Sequence, residues 1–197
     1  MFNNQINLNT EQIKAIIFDF DGVILDSVNV KTEAFRELFS DYSLEIRNKI
    51  VEHHEKNGGM SRFEKIRFYY DSIIKKTISE EEYQNRVNKF GEIVFNKVLN
   101  SEFMDGCIEF LKKHKTHFQY FIVSATPENE LNKIISHKGI GHYFTKTYGS
   151  PVSKQENIIN LLSTYKLEHT EAIYIGDSLN DFEACIKTKL LFVGVTY

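Results

Sequence analysis

The stretch Asp19-Phe20-Asp21-Gly22, directly after the apolar run Ala15-Ile16-Ile17-Phe18, constrains this chain more than any other. It places two carboxylates at the end of a buried strand, followed by a residue that permits a sharp turn. Side chains two apart on extended backbone share a face, so Asp19 and Asp21 point the same way while Phe20 points away. Like charges held this closely repel unless a cation or a shared proton relieves them. A chain that keeps such a pair uses it. The competing structural reading is that both aspartates cap a turn.

The strand cannot stand alone, because it has two apolar faces to cover. From about residue 105 the texture is alternating helix and strand: helices over 106–114, 127–138, 154–165 and 179–187, and strands over 120–123, 144–148, 172–175 and 190–195. Strands separated by helices predict a parallel sheet with helices on both faces. The strand at 14–19 must join that sheet, which makes the helical stretch over about 29–99 an insertion. Within it, Ala34, Phe35, Leu38 and Phe39 form one apolar stripe. Phe63, Ile66, Tyr70, Ile73 and Ile74 form a second, and Val87, Phe90, Ile93, Val94 and Val98 a third. Gly58-Gly59 marks a loop between helices.

At 197 residues the chain suffices for one domain carrying an insertion. Its net charge of −3 lacks the basic excess of an extended nucleic-acid surface, so no nucleic-acid partner is expected. No apolar run reaches membrane-spanning length, and the start Met1-Phe2-Asn3-Asn4-Gln5 lacks the pattern of a secretion signal. Cys107 and Cys185 have no metal-ligand spacing and are expected as reduced thiols in a cytoplasmic protein.

In open parallel sheets ligands bind beyond the carboxyl ends of the strands. Asp19 and Asp21 occupy one such end. Ser124 ends Phe121-Ile122-Val123, with Thr126 read as a helix cap and Pro127 as the first helical residue. Ser124 and the free N–H groups there suit an anionic oxygen, although a lone loop serine is commoner. Lys154 follows Ser153, whose spacing to Glu156 is that of a capping box. A cation in a first helical turn opposes the helix dipole, so local stability does not explain it, although a solvated lysine would. Gly176-Asp177-Ser178-Leu179-Asn180-Asp181 follows Ile173-Tyr174-Ile175. Its two acids suit Mg²⁺, and helix capping explains one of them better than both.

In this order the motifs resemble those of the haloacid dehalogenase superfamily, over nearly the whole chain after its polar leader. The resemblance implies an α/β protein with a three-layer Rossmann-like core and parallel sheet (residues 1–27 and 100–197), plus an inserted small α-helical cap (28–99). It implies that Asp19 forms an aspartyl-phosphate and that Asp21 is the acid and base. Ser124 and Lys154 would bind phosphoryl oxygens, and Mg²⁺ would be held by Asp19, the Asp21 carbonyl and Asp177. Asp181 would hold a metal-bound water or Lys154. Gly58-Gly59-Met60-Ser61-Arg62 resembles the cap loop that sets specificity, making Arg62 a candidate for a substrate anion, with Lys65 and Lys31 behind it. Arg62 is read equally well as a solvated cap residue.

The implied activity is a Mg²⁺-dependent phosphatase acting on a small phosphorylated metabolite, a sugar phosphate or a phosphoglycolate-like ester. A β-phosphoglucomutase-like enzyme is the nearest alternative, weakened by Lys31 where such mutases carry histidine. A non-catalytic phosphate-binding module is the alternative from another class, and it conflicts with retention of every reactive residue. Dehalogenase and phosphonate-hydrolase readings fit poorly with an acid at Asp21. A dinucleotide-binding reading fails because Gly139-Ile140-Gly141 follows a helix. The sequence leaves the oligomeric state open.

Overall fold

In the computed structural model, which describes residues 12–196, strand β1 (Ala15–Phe18) lies at the centre of a five-stranded sheet. The reading of the leader as lacking a secretion signal concerns residues outside that range. The other strands are β2 (Gln119–Pro127), β3 (Lys146–Ser150), β4 (Ala172–Gly176) and β5 (Leu191–Gly194). All neighbours are parallel, in the order β3-β2-β1-β4-β5, with Ile17 opposite both Phe121 and Tyr174.

The unbroken apolar run of β1 serves both sides of the sheet. Ile16 and Phe18 join one apolar cluster, and Ala15 and Ile17 the other. Helices α5 (Cys107–His114) and α6 (Glu128–His137) cover the first face through Leu111, Leu131, Ile134 and Ile135. Helices α7 (Lys154–Tyr165) and α8 (Leu179–Thr188) cover the second through Ile158, Leu161, Ala184 and Cys185. Each leucine or isoleucine among them contributes about 1.5–3 kcal/mol by leaving water. The architecture is the expected three-layer α/β core.

The chain builds β1, β2 and β3 toward one edge and then crosses to place β4 on the other side of β1. That reversal opens a crevice beyond the carboxyl ends of β1 and β4. The helices between β1 and α5 stand over it: α1 (Val28–Leu38), α2 (Leu44–Lys56), α3 (Arg62–Phe68) and α4 (Glu80–Leu99). Their stripes pack on one another, with Phe35 against Phe90 at 4.1 Å between ring centroids and edge-on to Tyr69. Gly58 and Gly59 fall between α2 and α3 as expected, and a Cβ on Gly59 would collide with Ser178 Oγ at the head of α8. The cap therefore touches the core directly above the crevice.

Two local readings need correction. Helix α3 runs into a wider turn over Tyr69–Ile74, with five residues per hydrogen-bonded step. The extra residue turns both Tyr69 and Tyr70 inward and leaves Ile73 only half-buried, so the second stripe is not strictly helical. The second correction is at β2, which continues to Pro127 beside Ser150. Pro127 is thus the residue before α6, and Thr126 is not its cap.

Candidate active site

Asp19 leaves the end of β1 as a buried residue, with its N–H donating to the Ile175 carbonyl of β4. Lys154, placed at the start of α7 by the Ser153–Glu156 capping box, brings Nζ to 3.0 Å from Asp19 Oδ2 and 2.5 Å from Asp181 Oδ1. Asp181 is fully buried, and all its acceptor directions are in use. Its Oδ1 also faces the Tyr174 hydroxyl at 2.9 Å, and its Oδ2 accepts from Ser178 N–H and Oγ. The Asp181 carboxylate thus closes the capping box of α8 and anchors the lysine at once.

Electrostatics follow from burial. Desolvation first, opposed by Lys154 and reinforced by Asp181, Asp177 and Asp21, pushes the Asp19 carboxyl up to about 8. Burial works against the Lys154 charge, but Asp181 and Asp19 outweigh it and hold the ammonium above its ordinary value. Burial likewise acts to raise Asp181, and Lys154, Ser178 and Tyr174 bring it below the usual carboxylate range.

Asp21 sits one turn away in a second polar set. Gly22, at φ +78°, turns the chain so that Asp21 bridges to Leu25, and a Cβ there would collide with Asp177 Oδ2. Phe20 points into the core as the strand geometry requires. Asp21 Oδ1 accepts from Ser27 Oγ at 2.5 Å, and Oδ2 accepts from Thr126 Oγ1 at 3.0 Å and from the Lys31 ammonium. Burial opposes its charge, but Lys31, Ser27 and Thr126 hold the Asp21 carboxyl below its ordinary value. The repulsion within the aspartate pair is therefore answered by two lysines, one for each acid.

Ser124 is buried, its Oγ accepts from the Thr126 N–H at 3.1 Å, and it lines a cavity of about 60 Å³ with Asp19, Asp21, Lys31 and Asp177. The roof is cap: His54, Gly58, Gly59, Met60, Arg62 and Lys65. Arg62 departs from the expected substrate contact. Its guanidinium forks onto Glu130 of α6, with Nη1 at 3.0 Å from Oε1 and Nη2 at 2.5 Å from Oε2. Lys65 stays inside the cavity wall beside His54.

The residues suit a divalent cation. Asp19, Asp177 and Asp181 each present a carboxylate oxygen within 4.8 Å of the others, and the buried Asp19 Oδ1 has no hydrogen-bond partner. Hard carboxylate oxygens with room for water suit Mg²⁺. Of these acids, Asp181 has both oxygens taken up by Lys154, Tyr174 and Ser178, whereas Asp19 keeps Oδ1 for a cation.

The structure thus brings Asp19, Asp21, Ser124, Lys154, Asp177 and Asp181 to one crevice. Sequence reasoning missed Ser27, Thr126, Tyr174 and His54. Single polar residues give no periodic signal, although Tyr174 inside an apolar strand run was a hint.

A family model described as haloacid dehalogenase-like hydrolase matches residues 16–195. A phosphoglycolate phosphatase of Pasteurella multocida is 22% identical over 196 residues, covering 94% of this chain and 87% of its own. A β-phosphoglucomutase structure from Clostridium difficile is similar at TM-score 0.79 and 24% identity, covering 94% of this chain and 85% of its own. A structure of a predicted phosphoglycolate phosphatase from Haemophilus somnus is similar at TM-score 0.76 and 21% identity, covering 94% and 86%.

Proposed function

The chain belongs to the haloacid dehalogenase-like hydrolase family, and from that premise we propose that it is a Mg²⁺-dependent phosphatase that takes the phosphoryl group of a small phosphomonoester onto Asp19. The observation that carries this reading is the buried Asp19 carboxylate with one oxygen held by Lys154 and the other without a partner beside Asp177.

Asp19 attacks phosphorus in line, the ester oxygen leaves with a proton, and an aspartyl-phosphate remains. Lys154 and Ser124 donate to the phosphoryl oxygens, with Asp181 and Tyr174 fixing the lysine. Asp21, held ionised by Lys31, has the form needed for the second half. It takes a proton from the water that attacks the aspartyl-phosphate, releasing phosphate and restoring Asp19. In the first half it must carry that proton toward the leaving oxygen, which requires Lys31 to loosen its grip. Mg²⁺ bound at Asp19 and Asp177 would supply the positive charge that keeps Asp19 ionised and balances the phosphoryl oxygens.

Phosphate release from small phosphomonoesters should require Mg²⁺, stop on chelation, and fall about 10³-fold or more in Asp19→Asn. Full activity in that variant would refute the nucleophile. The mutase reading draws on the similarity to a β-phosphoglucomutase structure. It is disfavoured by Arg62, the cap arginine of that reading, being committed to Glu130. Isomerisation of β-glucose 1-phosphate faster than phosphate release would reverse that preference.

A further inference from the structure

Lys65 takes no part in the chemistry above, yet its side chain is almost completely buried at 1% exposure and lines the same cavity as Asp19 and Ser124. Its Nζ lies 2.7 Å from His54 Nδ1 and 5.8 Å from the Phe35 ring centroid. His54 is itself buried, and desolvation, then the Lys65 charge, drives its pKa to about 2. The ring is neutral, so Nδ1 accepts one of the three ammonium protons.

The other cations around the site each hold an acid: Lys31 holds Asp21, Lys154 holds Asp19 and Asp181, and Arg62 holds Glu130. Among the described residues, none forms an ion pair with Lys65, and two of its donor directions have no protein acceptor. An ammonium buried in that state is costly, and a fold keeps one where something else supplies the anion. Desolvation, then Lys31, pushes Lys65 well below its ordinary pKa, which an incoming anion would reverse. Ser124 and Lys154 already serve the phosphoryl end from the core side, so the anion met by the cap belongs to the other end of the substrate.

We propose that Lys65, propped by His54, receives a second anionic group, a carboxylate or a phosphate, on the alcohol half of the substrate. The enzyme then selects doubly anionic phosphomonoesters over esters of neutral alcohols, sugars included. This rests on the phosphatase reading.

The test compares 2-phosphoglycolate and ethylene glycol bisphosphate with 2-hydroxyethyl phosphate, a neutral analogue of the first. A hydrogen-bonded charge pair corresponds to about ten- to hundredfold in affinity. Wild-type kcat/KM should favour at least one dianionic ester by about that factor, and the favoured one identifies the group. Lys65→Met should shrink the preference to within about threefold, mostly through KM, while Lys65→Arg restores part of it. Calorimetric binding of the same compounds to Asp19→Asn in the presence of Mg²⁺ reads the preference without turnover and without altering Lys65. Equal use of the neutral ester by the wild type, or an undiminished preference in Lys65→Met, would overturn the assignment. Selective binding by Asp19→Asn with no phosphate released by the wild type would refute the phosphatase reading alone.

Discussion

Asp19 carries the most perturbed acid of the site, pushed up to about 8 by burial and by the neighbouring carboxylates against the pull of Lys154. In metal-free protein, between about pH 4 and 8, the folded state keeps a proton on Asp19 that the unfolded chain has released. The folded state binds more protons in that window, so stability falls as pH rises through it. With EDTA present, wild-type Tm should drop from pH 5 to pH 8 by on the order of 5 °C more than the Tm of Asp19→Asn. Parallel melting profiles by circular dichroism would contradict this. Gly22 makes a second case at this scale, since its φ of +78° and its contact with Asp177 both exclude a side chain. Gly22→Ala should cost roughly 1–2 kcal/mol in denaturant titrations and lower kcat at least about tenfold by displacing Asp177. The Asp-Phe-Asp-Gly run announced both residues in one dimension. Ser27 and Thr126, which neutralise Asp21 together with Lys31, did not announce themselves, because their value comes from where the chain folds back.

At the scale of elements, helix starts carry the site. The Ser153–Glu156 box sets the first turn of α7 and hence the reach of Lys154, and the Ser178–Asp181 box does the same for α8. Ser153→Ala should destabilise the protein by about 1 kcal/mol, seen as a Tm lower by roughly 2–4 °C, with KM raised as Lys154 loses its fixed position. An unchanged KM would mean that Asp181 alone positions the lysine. Capping boxes were legible because they are local, spanning three residues. The start of α6 was misplaced because pairing of Pro127 with β3 prolongs β2, a tertiary contact that local propensity cannot report. The wider turn after α3 escaped for a related reason: burying both Tyr69 and Tyr70 among Phe35 and Phe39 outweighs regular helical spacing.

At the scale of the whole molecule, cap and core meet through Arg62 and Glu130, residues 68 apart in sequence. The pair needs Gly91 of α4, where a Cβ would stand 2.7 Å from Arg62 Nη1. Glu130→Ala leaves a guanidinium that is 5% exposed without its partner, and should cost about 2 kcal/mol, roughly 5 °C in Tm. A loosened cap should also raise KM and speed proteolytic cleavage at Gly58-Gly59, and unchanged cleavage would argue against the latch. The α/β class, the joining of the strand at 14–19 to the sheet, the helices that follow it and the candidate acids were legible in the sequence alone, because apolar periodicity and motif spacing are one-dimensional properties. Which cation meets which acid was decided only by the tertiary structure. Lys154 went to Asp19 and Asp181, Lys31 to Asp21 and Arg62 to Glu130, while Lys65 was left beside a neutral histidine. Charge pairing depends on distances through space and on burial, and both exist only once the chain has closed on itself.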